Sequence, residues 1–137
     1  MNYYNTFIAV APDTPVKVGT APVARAGKKS VAVLEYELIS AQPYTYTQEE
    51  VQFAVHVQRK AIPAAELRVR RVDLWNEFFS KSLACMRASP LPKSYGWGLH
   101  FNEEGKVALV AVESPEYERL SSSGAIEQTR ALRSRRT

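Results

Sequence analysis

Apolar and polar positions along this chain change period several times, and each change marks an element. Between Tyr3 and Val10, Tyr3, Asn5, Phe7 and Ala9 fall on one side of an extended chain and Tyr4, Thr6, Ile8 and Val10 on the other. Aromatic and β-branched content, ended by Ala11-Pro12-Asp13, predicts a strand. Residues 11–29 hold three prolines and two glycines among small and basic residues, which predicts a long surface loop. From Val31 to Ser40 the period becomes helical: Val31, Leu34 and Leu38 form a stripe, Ser30 is placed to cap it, and Pro43 lies beyond its end. Thr47 followed three positions later by Glu50 is a capping box. The helix it opens is expected to bury Val51, Ala54, Val55 and Val57 with Phe53, and to expose Glu49, Gln52, His56 and Arg59. Pro63 suits the first turn of a third helix running to Phe79. Its expected core stripe is Val69, Val72, Trp75 and Phe79, flanked by Leu67, Leu74 and Phe78.

After Cys85 the period becomes two. Tyr95, Trp97, Leu99 and Phe101 share one face of a strand and Gly96, Gly98 and His100 the other; Asn102-Glu103-Glu104-Gly105 closes a hairpin, with Gly105 supplying a positive φ. The return strand, Val107 to Val112, is apolar on both faces, which suggests the middle of the sheet, between its hairpin partner and the Tyr3–Val10 strand. Ser114-Pro115-Glu116 starts a short last helix reaching about Leu120. The expected fold is therefore α+β: a three-stranded, mostly antiparallel sheet, the hairpin 95–112 plus the N-terminal strand, with three to four helices packed on it. The expected division is one domain over residues 1–120 and a basic tail over 121–137, disordered or a frayed helix.

Charge sharpens that division. The whole chain of 137 residues carries +4. Arg130, Arg133, Arg135 and Arg136 against Glu127 put +3 of it on residues 121–137, and only +1 remains on the body. A nearly neutral body is unlike a nucleic-acid-binding domain, so no specific nucleic-acid partner is expected. The longest apolar run, Val107 to Val112, is far short of the ~20 residues of a membrane span, so no membrane role is expected. One cysteine, Cys85, cannot form an intrachain disulfide, and the reading is cytosolic. Two distant histidines and one cysteine give no metal motif and no cofactor is expected. Gly27-Lys28-Lys29-Ser30 has no glycine at the phosphate-loop spacing before it and is discounted as one.

Candidate chemistry gathers between Cys85 and His100. Arg87, Ser89 and Lys93 sit on a proline-stiffened segment and could hold an anion, with Tyr95 or Trp97 as a stacking platform; the competing reading is a plain surface crossing. Gly96 and Gly98 leave a bare trough beside His100, open to a ligand or to another group of the same protein. Glu35 points between apolar sectors of its helix, where desolvation would raise its pKa and fit it for acid–base work; otherwise it reaches water or an arginine. Cys85, near Lys81 and Arg87, could act as a nucleophile with His100 rather than His56 as its base, or is simply a small buried apolar residue.

Several of these pieces together resemble a small bacterial family of unknown function: Tyr4-Asn5-Thr6-Phe7-Ile8, Pro43-Tyr44 with Thr47-Gln48-Glu49, Phe78-Phe79-Ser80-Lys81, Cys85, Arg87-Ala88-Ser89-Pro90-Leu91, Lys93 and Tyr95-Gly96-Trp97-Gly98. The likeness covers about Tyr3 to Leu120 and implies a single free-standing domain; no activity comes with it. The favoured expectation is a binding or interaction module taking an anionic or aromatic ligand, or a protein partner, at the 85–100 segment. The alternative is a small enzyme working through Glu35, Cys85 or His100. Exposed tyrosines and an edge strand also permit a homodimer.

Overall fold

The computed structural model describes residues 1–133. Its elements run β1 (Thr6–Ala9), α1 (Val31–Ala41), α2 (Gln48–Arg59), α3 (Ala64–Phe79), a 3-10 turn (Met86–Ala88), α4 (Pro90–Ser94), β2 (Trp97–Phe101), β3 (Val107–Ala111), α5 (Pro115–Ser121) and β4 (Glu127–Arg130). The local signals act as their chemistry dictates. Ser30 Oγ accepts the Val33 N–H at 3.3 Å. Thr47 Oγ1 accepts from the Glu50 N–H while Glu50 Oε1 accepts from the Thr47 N–H, closing the capping box. Gly105 turns the hairpin at φ +79°.

The fold is α+β, with a four-stranded mixed sheet in the order β3-β2-β1-β4. β1 pairs antiparallel with β2 and parallel with β4, and β2 pairs antiparallel with β3. Two expectations are corrected here. Residues 127–130, read as disordered or frayed-helical tail, form β4 along β1, and Ala131 beyond it is buried in the core; the rest of the expected tail, residues 134–137, lies outside the described residues. The return strand β3 stands at the edge of the sheet, and β2 is the neighbour of β1. Apolarity on both faces of β3 reports cover above and below, from α1 and α5, rather than a central position. Its open edge is itself partly closed, because Tyr44 N–H donates to Val107 C=O and Val107 N–H to Tyr46 C=O, both at 2.9 Å.

Ile8, Leu99, Phe101 and Val107 face one way, into a core completed by Leu34 and Ile39 of α1, Val51 and Val55 of α2 and Leu91 of α4. Phe7, Ala9 and Val110 face the other way, onto Leu120 and Tyr117 of α5. The third helix keeps only part of its expected stripe. Val69 and Val72, read as core, are exposed, while Trp75 and the flanking Leu74 and Phe78 pack inward, Leu74 buried and the rings of Trp75 and Phe78 5.0 and 6.1 Å from that of Phe53. The long loop before α1 is pinned to the sheet: Trp97 Nε1 donates to Thr20 C=O at 2.9 Å, and Thr20 N–H to Tyr95 C=O at 2.8 Å.

Candidate functional site

A cavity of about 540 Å³ opens where α1, α2 and the C-terminal end of α3 converge. Glu35 of α1 lines it, one helical turn from Val31 and Ile39 on the buried side of that helix. From α2 come Gln52, Val55, His56 and Arg59, joined on the same helical face by Lys60 at its C-terminal cap; from α3 comes Phe78, and from the following segment Leu83 and Ala84. Glu35 is only 6% exposed. Ser89 Oγ donates to its Oε1 at 2.7 Å, and among the described residues its Oε2 accepts no hydrogen bond. Burial lifts this carboxyl from its ordinary 4.5 to about 7, against the Ser89 bond, which favours the ionised form.

Cations and an imidazole complete the cavity. The His56 ring stacks on Phe78 at 4.3 Å and 24°. Its pKa is held below the usual 6.5 first by burial, then by the neighbouring charges of Lys60 and Lys81. Arg59 and Lys60 are exposed at the mouth. With Glu35 half-protonated near neutrality, the lining carries net positive charge, and an anion entering it meets two fixed cations before it reaches the carboxyl.

The candidates read from the sequence go to different places. Glu35, Ser89 and Cys85 share a smaller recess of about 120 Å³ beside the main cavity. Cys85 is half-buried, and Tyr3 Oη donates to its Sγ at 3.1 Å; burial and this contact push the Tyr3 phenol up to about 12. His100 lies on the α5 side of the sheet, where Tyr44 Oη meets its Nδ1 at 2.7 Å, so the expected pairing of Cys85 with His100 does not form. Burial holds His100 below its usual pKa, with Glu116 raising it and Arg119 lowering it. The expected trough is filled from within. A Cβ on Gly98 would fall 2.6 Å from Phe7 Cζ and 2.9 Å from Tyr117 Cε2, so the group that approaches this glycine is the protein's own.

Nor do the other members of the expected anion site converge. Arg87 Nε donates to Arg130 C=O at 2.6 Å and ties down the strand β4. Lys93 and Tyr95 are half-buried around α4, and Trp97 holds the 11–29 loop. Gln52, His56 and Arg59 were read as a solvent-facing helix face and Phe78 as flanking a core stripe, so neither they nor Lys60 were placed at a site. The signal that could have found them is the run of aromatics Trp75, Phe78 and Phe79, too many for one stripe and needing a second surface to cover.

Comparison with known families matches the whole chain, residues 1–137, to a family model. The chain belongs to DUF6157, a family of unknown function. The DUF6157 match runs through the four-stranded sheet, the helices around the cavity and the C-terminal residues alike. Neither the curated proteins nor the solved structures yield a match. Among the described residues, no helix is long and apolar enough to cross a membrane, and no three His, Cys, Asp or Glu side chains gather as a metal site would need.

Proposed function

We propose that the cleft between α1, α2 and α3 binds a small organic anion with an apolar body. The observation that carries this reading is the buried Glu35 carboxyl, one oxygen bonded by Ser89 and the other, among the described residues, accepting no hydrogen bond, on a cavity of about 540 Å³ with Arg59 and Lys60 at its mouth. That volume suits a drug-sized metabolite, and apolar walls with a few convergent polar groups are the usual make-up of such sites. Val31, Val55, Phe78 and Leu83 would cover the apolar part. Arg59 and Lys60 would meet the anionic end, and neutral Glu35 would donate to an acceptor on the ligand. The anionic ligand expected from the sequence is kept, while its place moves from the 85–100 segment to the neighbouring cleft.

The experiment is calorimetric titration with a panel of aromatic and aliphatic carboxylates and phosphate monoesters, between pH 5.5 and 8.5. Affinity should fall as pH rises through about 7, where Glu35 ionises and repels the anion. Glu35→Gln should keep its affinity at pH 8, and Arg59→Ala should bind about tenfold more weakly. Binding indifferent to pH and to both substitutions, or no binding at all, would remove the reading.

A second reading, acid–base catalysis, has one observation in its favour: Glu35 is raised and His56 lowered on the same cavity, an arrangement that provides an acid and a base near neutral pH. The same panel in deuterated buffer, extended to 2-oxo acids, tests it. Solvent deuterium entering the carbon next to the carbonyl, and lost in both Glu35→Gln and His56→Asn, supports it; no exchange above background removes it.

A further inference from the structure

The helix α3 presents apolar residues on two opposite faces. The inward face, Leu74 and Phe78, packs on α2 through the rings around Phe53. Roughly opposite it, Ala65, Val69, Val72 and Asn76 follow one another at spacings of four, three and four. Val69 is 82% and Val72 72% exposed, and Ala65 and Asn76 are exposed as well. From Ala64 to Val72, every residue but Leu67 is exposed. A helix segment this short is marginal in water unless something packs on it. Arg70, in the middle, has left helical geometry (φ −112°, ψ 20°), at a point where Glu66 and Glu77 of the same helix are its ion-pair partners.

We propose that the outward face of α3 is the contact through which two copies of this chain associate, as a short parallel helix pair. The four-three-four spacing is that of the seam positions of a coiled coil, with Val69 and Asn76 at the first and Ala65 and Val72 at the second. A single asparagine at the first position is a residue that fixes register and oligomeric state. The flanking charges agree with this orientation. Arg68 precedes the seam and Asp73 follows it five residues later, the separation at which side chains of two parallel helices meet across the seam. Arg68 of each copy therefore faces Asp73 of the other. Within the chain, among the described residues, neither forms an ion pair, whereas Arg70 is held at 3.2 and 3.0 Å by Glu66 and Glu77. Antiparallel pairing with the four seam residues in register would bring Asp73 beside Glu66, like charge against like.

The test uses the full chain in analytical ultracentrifugation from about 1 µM to about 1 mM, the range spanning useful to marginal affinity. The expected species is a dimer of the 15.4 kDa chain. Val69→Asp with Val72→Asp should sediment as a monomer with an unchanged circular dichroism spectrum. Asp73→Arg alone should weaken association at least tenfold, and adding Arg68→Asp should restore it. Orientation is read with Asn76→Cys in a Cys85→Ser background: the parallel pair oxidises to a covalent dimer. A wild-type monomer at every concentration overturns the proposal, as does a dimer that survives the two valine substitutions or one that fails to cross-link at position 76. A monomer that instead floats with anionic lipid vesicles assigns the face to a membrane surface and equally overturns it.

Discussion

A glutamate on the buried side of a helix must be paired, wetted or neutral, and Glu35 takes a middle course: one oxygen bonded by Ser89, the other left to the cavity, the proton retained to about pH 7. The sign of its effect on stability follows. Between its ordinary 4.5 and about 7 the folded carboxyl holds a proton that the unfolded chain has released, so this group's contribution to stability falls as pH rises across that window and is level above it. Glu35→Gln never ionises. Urea unfolding should find it equal to wild type near pH 4.5 and more stable by roughly 3 kcal/mol at pH 8; a difference independent of pH would count against the burial argument. The apolar surroundings of Glu35 were legible in its wheel position beside Val31, Leu34 and Ile39. Its partner was not, because Ser89 is 54 residues away and its own role, capping Leu91 N–H at 3.2 Å, gives no sign of a second bond.

Among the elements, the best-read were those with a local cause. The capping box at Thr47, the serine caps of α1 and α5 and the glycine of the hairpin turn act within a few residues of sequence, and the helices begin where those residues stand. Elements whose placement depends on what covers them were read less well. The strand β3 looked central because both its faces are apolar, and α3 carries apolar residues on two sides, of which Trp75, Leu74 and Phe78 pack inward as expected while Val69 and Val72 do not. Trp97 shows the same limit: its indole was read as a stacking platform, yet it is occupied by Thr20 from a loop with no pattern of its own. Trp97→Phe keeps the ring and loses that bond. It should cost about 1 kcal/mol and expose Lys17, Arg25, Lys28 and Lys29 to faster trypsin cleavage, followed by mass spectrometry. Cleavage at the wild-type rate would mean the loop is fixed by other contacts.

At the scale of the molecule, the α+β class and the single hairpin were legible, since both rest on changes of period that survive any arrangement. The parallel strand β4 was not. Glu127-Gln128-Thr129-Arg130 is polar throughout, and only its position beside β1, with Arg87 bound to its backbone, makes it a strand. The cavity is likewise a property of the assembled chain: α1 supplies the carboxyl, α2 the cations and imidazole, α3 the aromatic wall, and none of the three is a site alone. Everything proposed for that cleft requires the fold to remove the Glu35 carboxyl from bulk water. The direct measurement is the pH titration of the Glu35 carboxyl carbon by NMR in the intact, ligand-free protein, assigned by its absence in Glu35→Gln. A midpoint near 7 is expected. A midpoint at the ordinary 4.5 would mean that the carboxyl is solvated and that the cleft has no special group at its base.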